Sequence, residues 1–369
     1  MTTTEPLDTT AAGEFDAKVD AFAEKIFGTA LAAQELQAAY LGDMLGYYRA
    51  FADGPVTAND LADRTSTAPR YAREWLEQQT VAGYLTCANP DAAAGERRFE
   101  LPAVHAEVLT KPDSLAHVLP LARFVCGLGK HLDALVDAYR TGGGVSWAEL
   151  GEDPREAQAA MNRPMFLHQL GPEYLASIPD LQAVLTGGGR VADIGAGYGW
   201  AAIGLANAYP GVTVDAYDLD GPSIEMARRN IAEAGLTDRV TATRADAGTV
   251  QREGEYDLVM ALECIHDLPD PVTVLATMRR LAGPDGAVVV MDENVGEHFT
   301  GEHDDVERMM YGFSLTCCLA DGLAHDGSVG TGTVMRPPTL ERYADQAGYT
   351  SVEILPIEND FFRFYRLHQ

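Results

Sequence analysis

Apolar residues recur every three to five positions through Phe15, Val19, Phe22, Ile26, Leu31, Leu36, Leu41 and Leu45. This predicts helix over residues 15–51, with Gly28 and Gly42 as points of interruption. Asp53-Gly54-Pro55 is a turn. A short capped helix follows from Thr57, and Ser66 to Pro69 breaks it and starts a second helix through Tyr71, Trp75, Leu76 and Val81, which Gly83 ends. Residues 84–86 and 98–101 read as two short strands around the polar loop 89–96. Helix, turn, helix and hairpin is the layout of a winged helix. Residues 114–185 are again mostly helical, with a glycine-rich break at 141–144.

Near Gly187-Gly188-Gly189 the texture changes. Short apolar runs at 190–194, 212–217, 240–244, 257–262 and 287–291 now alternate with helical stretches such as 200–208 and 221–235. Strands alternating with helices imply a parallel, doubly wound α/β sheet. Residues 348–355 and 361–365 would close it as an antiparallel pair. The chain thus reads as a loose tail (1–13), a winged-helix domain (14–113), a helical linker (114–185) and an α/β domain (186–369).

Charge removes several function classes. Among 369 residues there are 27 Lys and Arg against 55 Asp and Glu, a formal net charge of −28. Nucleic-acid and anionic-membrane binders need the opposite balance. No run of eighteen apolar residues occurs, and the first residues lack a basic start and apolar core, so a cytoplasmic location is expected. Five cysteines without a CxxC give no zinc spacing, and no metal is expected.

The informative segment is Asp193-Ile-Gly195-Ala-Gly197-Tyr-Gly199, at a strand-to-helix junction where glycines let the backbone turn tightly and approach a ligand. An acid at 193 suits a ligand with a cationic end better than a pyrophosphate. Asp218, 25 residues on and followed by Leu219, ends the second strand and fits a carboxylate accepting ribose hydroxyls. Asp246 and Ala247 follow the third strand, and Leu262 ends the fourth. In this order and spacing the motifs resemble the class I S-adenosylmethionine-dependent methyltransferases. The resemblance implies a Rossmann-like sheet of seven strands with the last pair antiparallel, and S-adenosylmethionine as cofactor, leaving as S-adenosylhomocysteine. It also implies that Asp193, Gly195, Gly197 and Gly199 hold the methionine end, Asp218 the ribose, and Asp246 with Ala247 the adenine.

Transfer to a hydroxyl also needs a base. Glu263-Cys264-Ile265-His266-Asp267-Leu268 resembles the segment of small-molecule O-methyltransferases whose His is that base, with Leu268 in place of a Trp. Those enzymes orient the His with an acid after strand five, where this chain has Asp292 and Glu293 and strand parity leaves both open. The expected catalytic set is therefore His266, Glu263, Asp292 and Glu293. An insertion at 295–336 corresponds to the family's substrate lid and makes Met310, Tyr311 and Phe313 candidate substrate walls, with Met165 and Phe166 as further candidates.

Across residues 54–100 there are 5 basic and 7 acidic residues, a poor balance for a DNA reader. In two-domain methyltransferases of specialised metabolism this module dimerises, so the resemblance implies a homodimer. Glu263–Leu268, Tyr311–Ser314 and Phe361–Leu367 resemble an actinobacterial group whose members are often labelled transcriptional regulators, some of them similar to enzymes that methylate tryptophan-derived natural products, including indole carbon 3. The expected function is methyl transfer to a small aromatic metabolite. The alternatives are a transcriptional regulator that responds to the cofactor, and a non-methylating enzyme that uses the sulfonium as a fixed cation.

Overall fold

The computed structural model describes residues 9–302 and 304–369 and divides into two compact units, Met1–Lys111 and Pro112–Gln369. The first eight residues of the expected tail lie outside the described residues. Helix α1 (Thr9–Met44) already runs through its last five.

In the first unit α1 continues through both glycines that were expected to interrupt it and ends short of residue 51. At Gly42 the reason is packing. A Cβ there would stand 2.5 Å from the Trp75 ring, and Trp75 donates its indole N–H to Ala38 O at 2.9 Å. The chain then turns through Gly46 at φ +69° into a single tight helical turn, Arg49–Phe51. Helix α2 (Ala58–Thr65) starts in a capping box in which Thr57 and Asp60 satisfy each other's backbone N–H. Helix α3 (Pro69–Val81) follows, then the antiparallel ribbon β1 (Thr86–Cys87) and β2 (Phe99–Glu100), and α4 (Ala103–Thr110). The ribbon is shorter than its sequence suggests because Asn89 ties the loop base, accepting from Arg98 N and donating to Glu96 O.

The second unit opens with α5 (Pro120–Gly129), α6 (Leu132–Thr141), α7 (Trp147–Leu150) and α8 (Glu152–Met165), a π-helical stretch (Phe166–Tyr174) and α9 (Pro179–Thr186). Then strands and helices alternate: β3 (Arg190–Ile194), α10 (Trp200–Ala208), β4 (Thr213–Asp218), α11 (Gly221–Glu233), β5 (Val240–Arg244), β6 (Leu258–Leu262), α12 (Pro271–Ala282) and β7 (Ala287–Glu293). After β7 come α13 (Asp305–Phe313), a π-helical turn (Ser314–Cys318), α14 (Leu319–Leu323), α15 (Pro337–Gln346), β8 (Ser351–Ile354) and β9 (Phe362–His368).

The seven strands lie in the order β5-β4-β3-β6-β7-β9-β8. The first five are parallel, and β9 runs antiparallel to both β7 and β8. Period-two alternation splits each strand between two cores. Val191, Val214, Met260 and Val289 pack on one face with α10 and α11, while Ala192, Val259 and Val290 pack on the other with α12 and α15. Because both faces are covered, β6 and β7 are buried along their whole length, and β6 and residues 287–291 of β7 read as unbroken apolar runs. The strand order reverses between β3 and β6, which opens a crevice at their C-terminal ends.

Candidate active site

The crevice is floored by the loop between β3 and α10. Gly195 there has φ +71°, and a Cβ on it would stand 2.7 Å from Cys264 Sγ, so both its conformation and its space require glycine. Gly195 N and Ala196 N donate to Tyr217 O at 2.9 and 3.1 Å, pinning the loop to β4, and Gly199 is the N-cap residue of α10. Asp218, at the end of β4, accepts from Gly197 N and Asp220 N, both at 2.8 Å. Burial raises its pKa against those two hydrogen bonds. Leu219 beside it is 59% exposed. Asp246, after β5, accepts from Gly248 N at 2.9 Å and so caps the turn carrying Ala247, and Leu262 is buried at the end of β6.

Asp193 is 1% exposed and its Oδ2 has no hydrogen-bond partner. Burial and the nearby Asp218 push its pKa up to about 7. A buried carboxylate oxygen left unpaired at the floor of a crevice is costly unless a cation arrives. This fits the ammonium end of a cofactor, and the glycine loop leaves the backbone room to receive it.

The second cluster sits at the ends of β6 and β7. Nδ1 of His266 lies 2.8 Å from Asp292 Oδ1 and 3.0 Å from Glu293 Oε2, and Nε2 lies 3.2 Å from Asp267 Oδ1. His266, Asp292 and Glu293 are each at most 3% exposed. Burial alone would lower the His266 pKa, but Asp267, Glu293 and Asp292 hold it well above the ordinary value. Burial and the Asp292 charge hold the Glu293 carboxyl well above its ordinary range, while His266 and the hydrogen bonds around Asp292 hold that carboxyl below its ordinary range against burial. Both acids lie within 3.0 Å of Nδ1, and the hydrogen bond is made with Asp292 Oδ1.

Glu263 stands apart from that sealed group. Its φ is +58°, left-handed for a non-glycine residue, and it keeps part of its surface open. Asn162 Nδ2 donates to its Oε2 at 2.6 Å, and Gln158 also hydrogen-bonds its side chain. Burial, opposed by those donors and by His266, brings its pKa up to about 7.

Helix α8 supplies partners that the sequence did not single out for this role. Arg155 closes a two-pronged ion pair with Asp220, Glu156 accepts from Tyr198 Oη at 2.8 Å, and Gln158 and Asn162 hold Glu263. The signal was present, because polar residues at 155, 158 and 162 recur at helical spacing and so share one face.

The candidate substrate walls are less uniform. Phe166 packs into the core with α10, and Phe313 packs edge-on against Phe124 at 5.1 Å. Met310 is buried, Met165 is partly buried, and Tyr311 Oη accepts from Arg336 at 3.2 Å. Two groups have metal-ligating atoms within 4.8 Å of one another: His266 with Asp292 and Glu293, and His266 with Asp267 and Cys318.

Residues 191–286 match a family model described as a methyltransferase domain. A ubiquinone biosynthesis O-methyltransferase of Aromatoleum aromaticum is 31% identical over 189 residues, 51% of this chain and 75% of that protein. The chain belongs to the class I S-adenosylmethionine-dependent methyltransferases.

A second ubiquinone biosynthesis O-methyltransferase, from Thiobacillus denitrificans, is 28% identical over 54% of this methyltransferase and 81% of its own length. The structure of the mitomycin 7-O-methyltransferase MmcR superposes with a TM-score of 0.71 at 20% identity, covering 96% of this chain and 99% of that one. Human N-acetylserotonin methyltransferase, solved with S-adenosylmethionine, gives 0.63 at 17% identity over 100% and 99%. The fold of this methyltransferase is thus that of the natural-product O-methyltransferases along nearly its whole length. The cofactor is S-adenosylmethionine. No described helix is long and apolar enough to cross a membrane.

Proposed function

We propose that this methyltransferase methylates a small aromatic specialised metabolite, with carbon 3 of the indole of a tryptophan-derived cyclic dipeptide as the leading acceptor. The observation that carries the reading is the run of acids along adjacent strand ends: Asp193 within β3, Asp218 ending β4 and Asp246 just after β5, then Glu263 after β6 and Asp292 in β7. The first three suit the ammonium, ribose and adenine of the cofactor, with Gly195, Gly197, Gly199, Leu219, Ala247 and Leu262 around it. The cofactor supplies an electrophilic methyl on a sulfonium. Anionic groups beside the acceptor favour one that turns cationic when alkylated, and a C3-methylated indole does so. Met165 lies one helical turn beyond Asn162, and with Phe166, Met310, Tyr311 and Phe313 it forms the apolar set from which a substrate wall would be drawn.

Cytoplasmic location and a homodimer complete the reading. The dimer rests on Phe15, Phe22 and Ile26, an apolar stripe of α1 that is 67%, 63% and 55% exposed. The regulator reading finds no comparable support. Of the arginines a winged helix would turn toward phosphates, Arg70, Arg73, Arg97 and Arg98, Arg70 is ion-paired to Glu74 and Arg97 to Glu77 at 2.7 Å, so two are held by acids of α3.

The test is incubation with methyl-labelled S-adenosylmethionine and a panel of phenols, indoles, tryptophan cyclic dipeptides and keto acids, followed by mass spectrometry. A labelled cyclic dipeptide is expected. A labelled phenol alone would replace the indole assignment, and no labelled product from any member would overturn the substrate class.

A further inference from the structure

We propose that Glu263 accepts a hydrogen bond from the ring N–H of an indole acceptor and steadies the positive charge that reaches that nitrogen during methyl transfer, with Asn162 and Gln158 as its positioning residues. The inference rests on the indole reading above and names the residue that recognises the ring.

Glu263 stands where an acceptor must come. It directly follows β6, at the C-terminal end of the sheet where the strand order reverses. Its neighbour Cys264 packs under the glycine loop: a Cβ on Gly195 would stand 2.7 Å from Sγ, and the thiol donates to Ile194 O at 3.4 Å. Glu263 is thus one residue from the floor assigned to the methionine end of the cofactor. His266 and Asp292 lie close enough to act electrostatically on its carboxyl.

The side chain is aimed. Its backbone is left-handed at φ +58°, and its own N–H donates to Met291 O at 2.7 Å, which fastens it to β7. Among the described residues one other non-glycine has positive φ, Ser66, and that residue ends a helix. A backbone held in so sparsely populated a region is over-determined by its surroundings, and such residues gather at ligand sites. Asn162 Nδ2 donates to Oε2 at 2.6 Å, and Gln158 adds a second amide from α8. Both arginines of α8 are paired elsewhere, Arg155 with Asp220 and Arg163 with Asp113. The groups that grip the carboxylate from α8 are therefore neutral.

A carboxylate has room for about four hydrogen bonds, and part of the Glu263 surface is open. Whatever completes it must be a donor, since a ring oxygen or a ketone would meet it lone pair to lone pair. Indole carries its one donor on the reacting ring. In the transfer step the carbon 2–carbon 3 π pair forms the bond from carbon 3 to the methyl, while the carbon–sulfur pair stays on sulfur, which becomes a neutral thioether. The nitrogen lone pair closes an iminium to carbon 2, and the nitrogen keeps its proton. Positive charge thus passes from the sulfonium to the ring nitrogen. The hydrogen bond to Glu263 is stronger in the transition state than in the bound substrate, which is the condition for raising kcat.

Two probes of one shape test the contact without turnover. Indole and benzofuran differ in a ring N–H against a ring oxygen. Both are titrated calorimetrically at pH 8 into the full chain saturated with S-adenosylhomocysteine. A hydrogen bond to a charged group corresponds to about tenfold or more in affinity, and wild type is expected to prefer indole by that much. Glu263→Gln is expected to cut the preference to about threefold or less, with S-adenosylhomocysteine affinity within about twofold of wild type. Wild type that binds both probes alike, or neither, overturns the proposal, and so does a full preference in Glu263→Gln. The second measurement uses a tryptophan cyclic dipeptide labelled in the screen. Glu263→Gln is expected to lower its kcat roughly 30-fold or more with KM within about threefold, and a loss confined to KM overturns the charge-steadying role. The two readings fail separately. A labelled phenol in place of the dipeptide, with the indole preference intact, overturns the acceptor and the charge-steadying role and supports the contact. A labelled dipeptide without that preference supports the acceptor and overturns the contact. Should Glu263→Gln fail to fold, Asn162→Ala takes its place: loss of one grip is expected to reduce the indole preference about threefold, and an unchanged preference overturns the proposal.

Discussion

Gly197 donates its backbone N–H to Oδ2 of Asp218 at 2.8 Å, which joins the glycine loop to the acid at the end of the neighbouring strand. One carboxylate therefore shapes the loop and is the proposed partner of the ribose. In Asp218→Ala both duties are lost. Hydrogen bonds to a charged acceptor are worth about 1.5–3 kcal/mol each, so losing two toward the ribose corresponds to roughly 3 kcal/mol or more. S-adenosylhomocysteine affinity should fall on the order of 100-fold, as measured by calorimetry, with the far-UV spectrum unchanged.

As the proposed partner of the cofactor's ammonium, Asp193 should make cofactor binding depend on pH. Burial and the neighbouring Asp218 raise its pKa to about 7, so it carries a proton below neutrality when nothing binds there. A ligand ammonium favours the ionised form, and below pH 7 binding must first expel that proton. Affinity should rise as pH climbs toward 7, approaching tenfold per unit well below it, and level off above. Titrations in two buffers of different ionisation enthalpy should report proton release at pH 6 and almost none at pH 8.5. Without ligand the sign reverses for stability: a carboxyl raised in the folded state stabilises fully below its unfolded pKa near 3.9, and that contribution is lost as pH rises through about 7.

The parts legible in the sequence were those with a local signature. Parallel strands buried on both faces leave apolar runs, and residues 287–291 announced β7 in that way. The glycine loop and the acids after the first three strands sit at fixed distances from those runs, so their places followed. The state of His266 had no such signature. Whether it is neutral or charged depends on Asp267, Asp292 and Glu293 closing on both edges of its ring, and one sequence does not show that two strand ends meet. Period-two logic puts residues 292 and 293 on opposite faces of β7, yet both carboxylates finish within 3.0 Å of one nitrogen. The left-handed backbone of Glu263 was likewise hidden, because nothing in its neighbours marks a turn.

Arg155 and Asp220 carry a stability prediction. Arg155 Nε lies 2.7 Å from Oδ2 and Nη2 lies 3.2 Å from Oδ1, with both side chains at most 14% exposed. Asp220 also caps α11, accepting from Ser223 N at 3.0 Å. Burial alone would raise its pKa, but the hydrogen bonds from Arg155 and Ser223 hold it below the ordinary range. Arg155→Met leaves an uncompensated buried carboxylate, and breaking such a pair costs about 3–5 kcal/mol. At ~2–4 °C per kcal/mol for a unit of this size, the melting temperature should drop by roughly 6–20 °C. Adding Asp220→Asn keeps a capping oxygen and removes the orphaned charge, so the double variant should recover part of that loss in the same melt.

The first helix makes the remaining prediction. Phe15, Val19, Phe22 and Ile26 fall four, three and four residues apart, the spacing of a helix seam, and all four are about half exposed or more. An apolar seam of three turns left in water costs solubility, and in the proposed homodimer a second copy of the same helix would cover it with its own seam. Phe22→Glu with Ile26→Glu places two like charges in each half of that contact. Light scattering coupled to gel filtration should give a dimer mass for wild type and a monomer mass for the double variant. The substitutions lie in an exposed helix in the other unit from the acids of the crevice, so the monomer should retain its circular dichroism and its S-adenosylhomocysteine affinity. A double variant that still runs as a dimer would place the self-contact elsewhere on the chain.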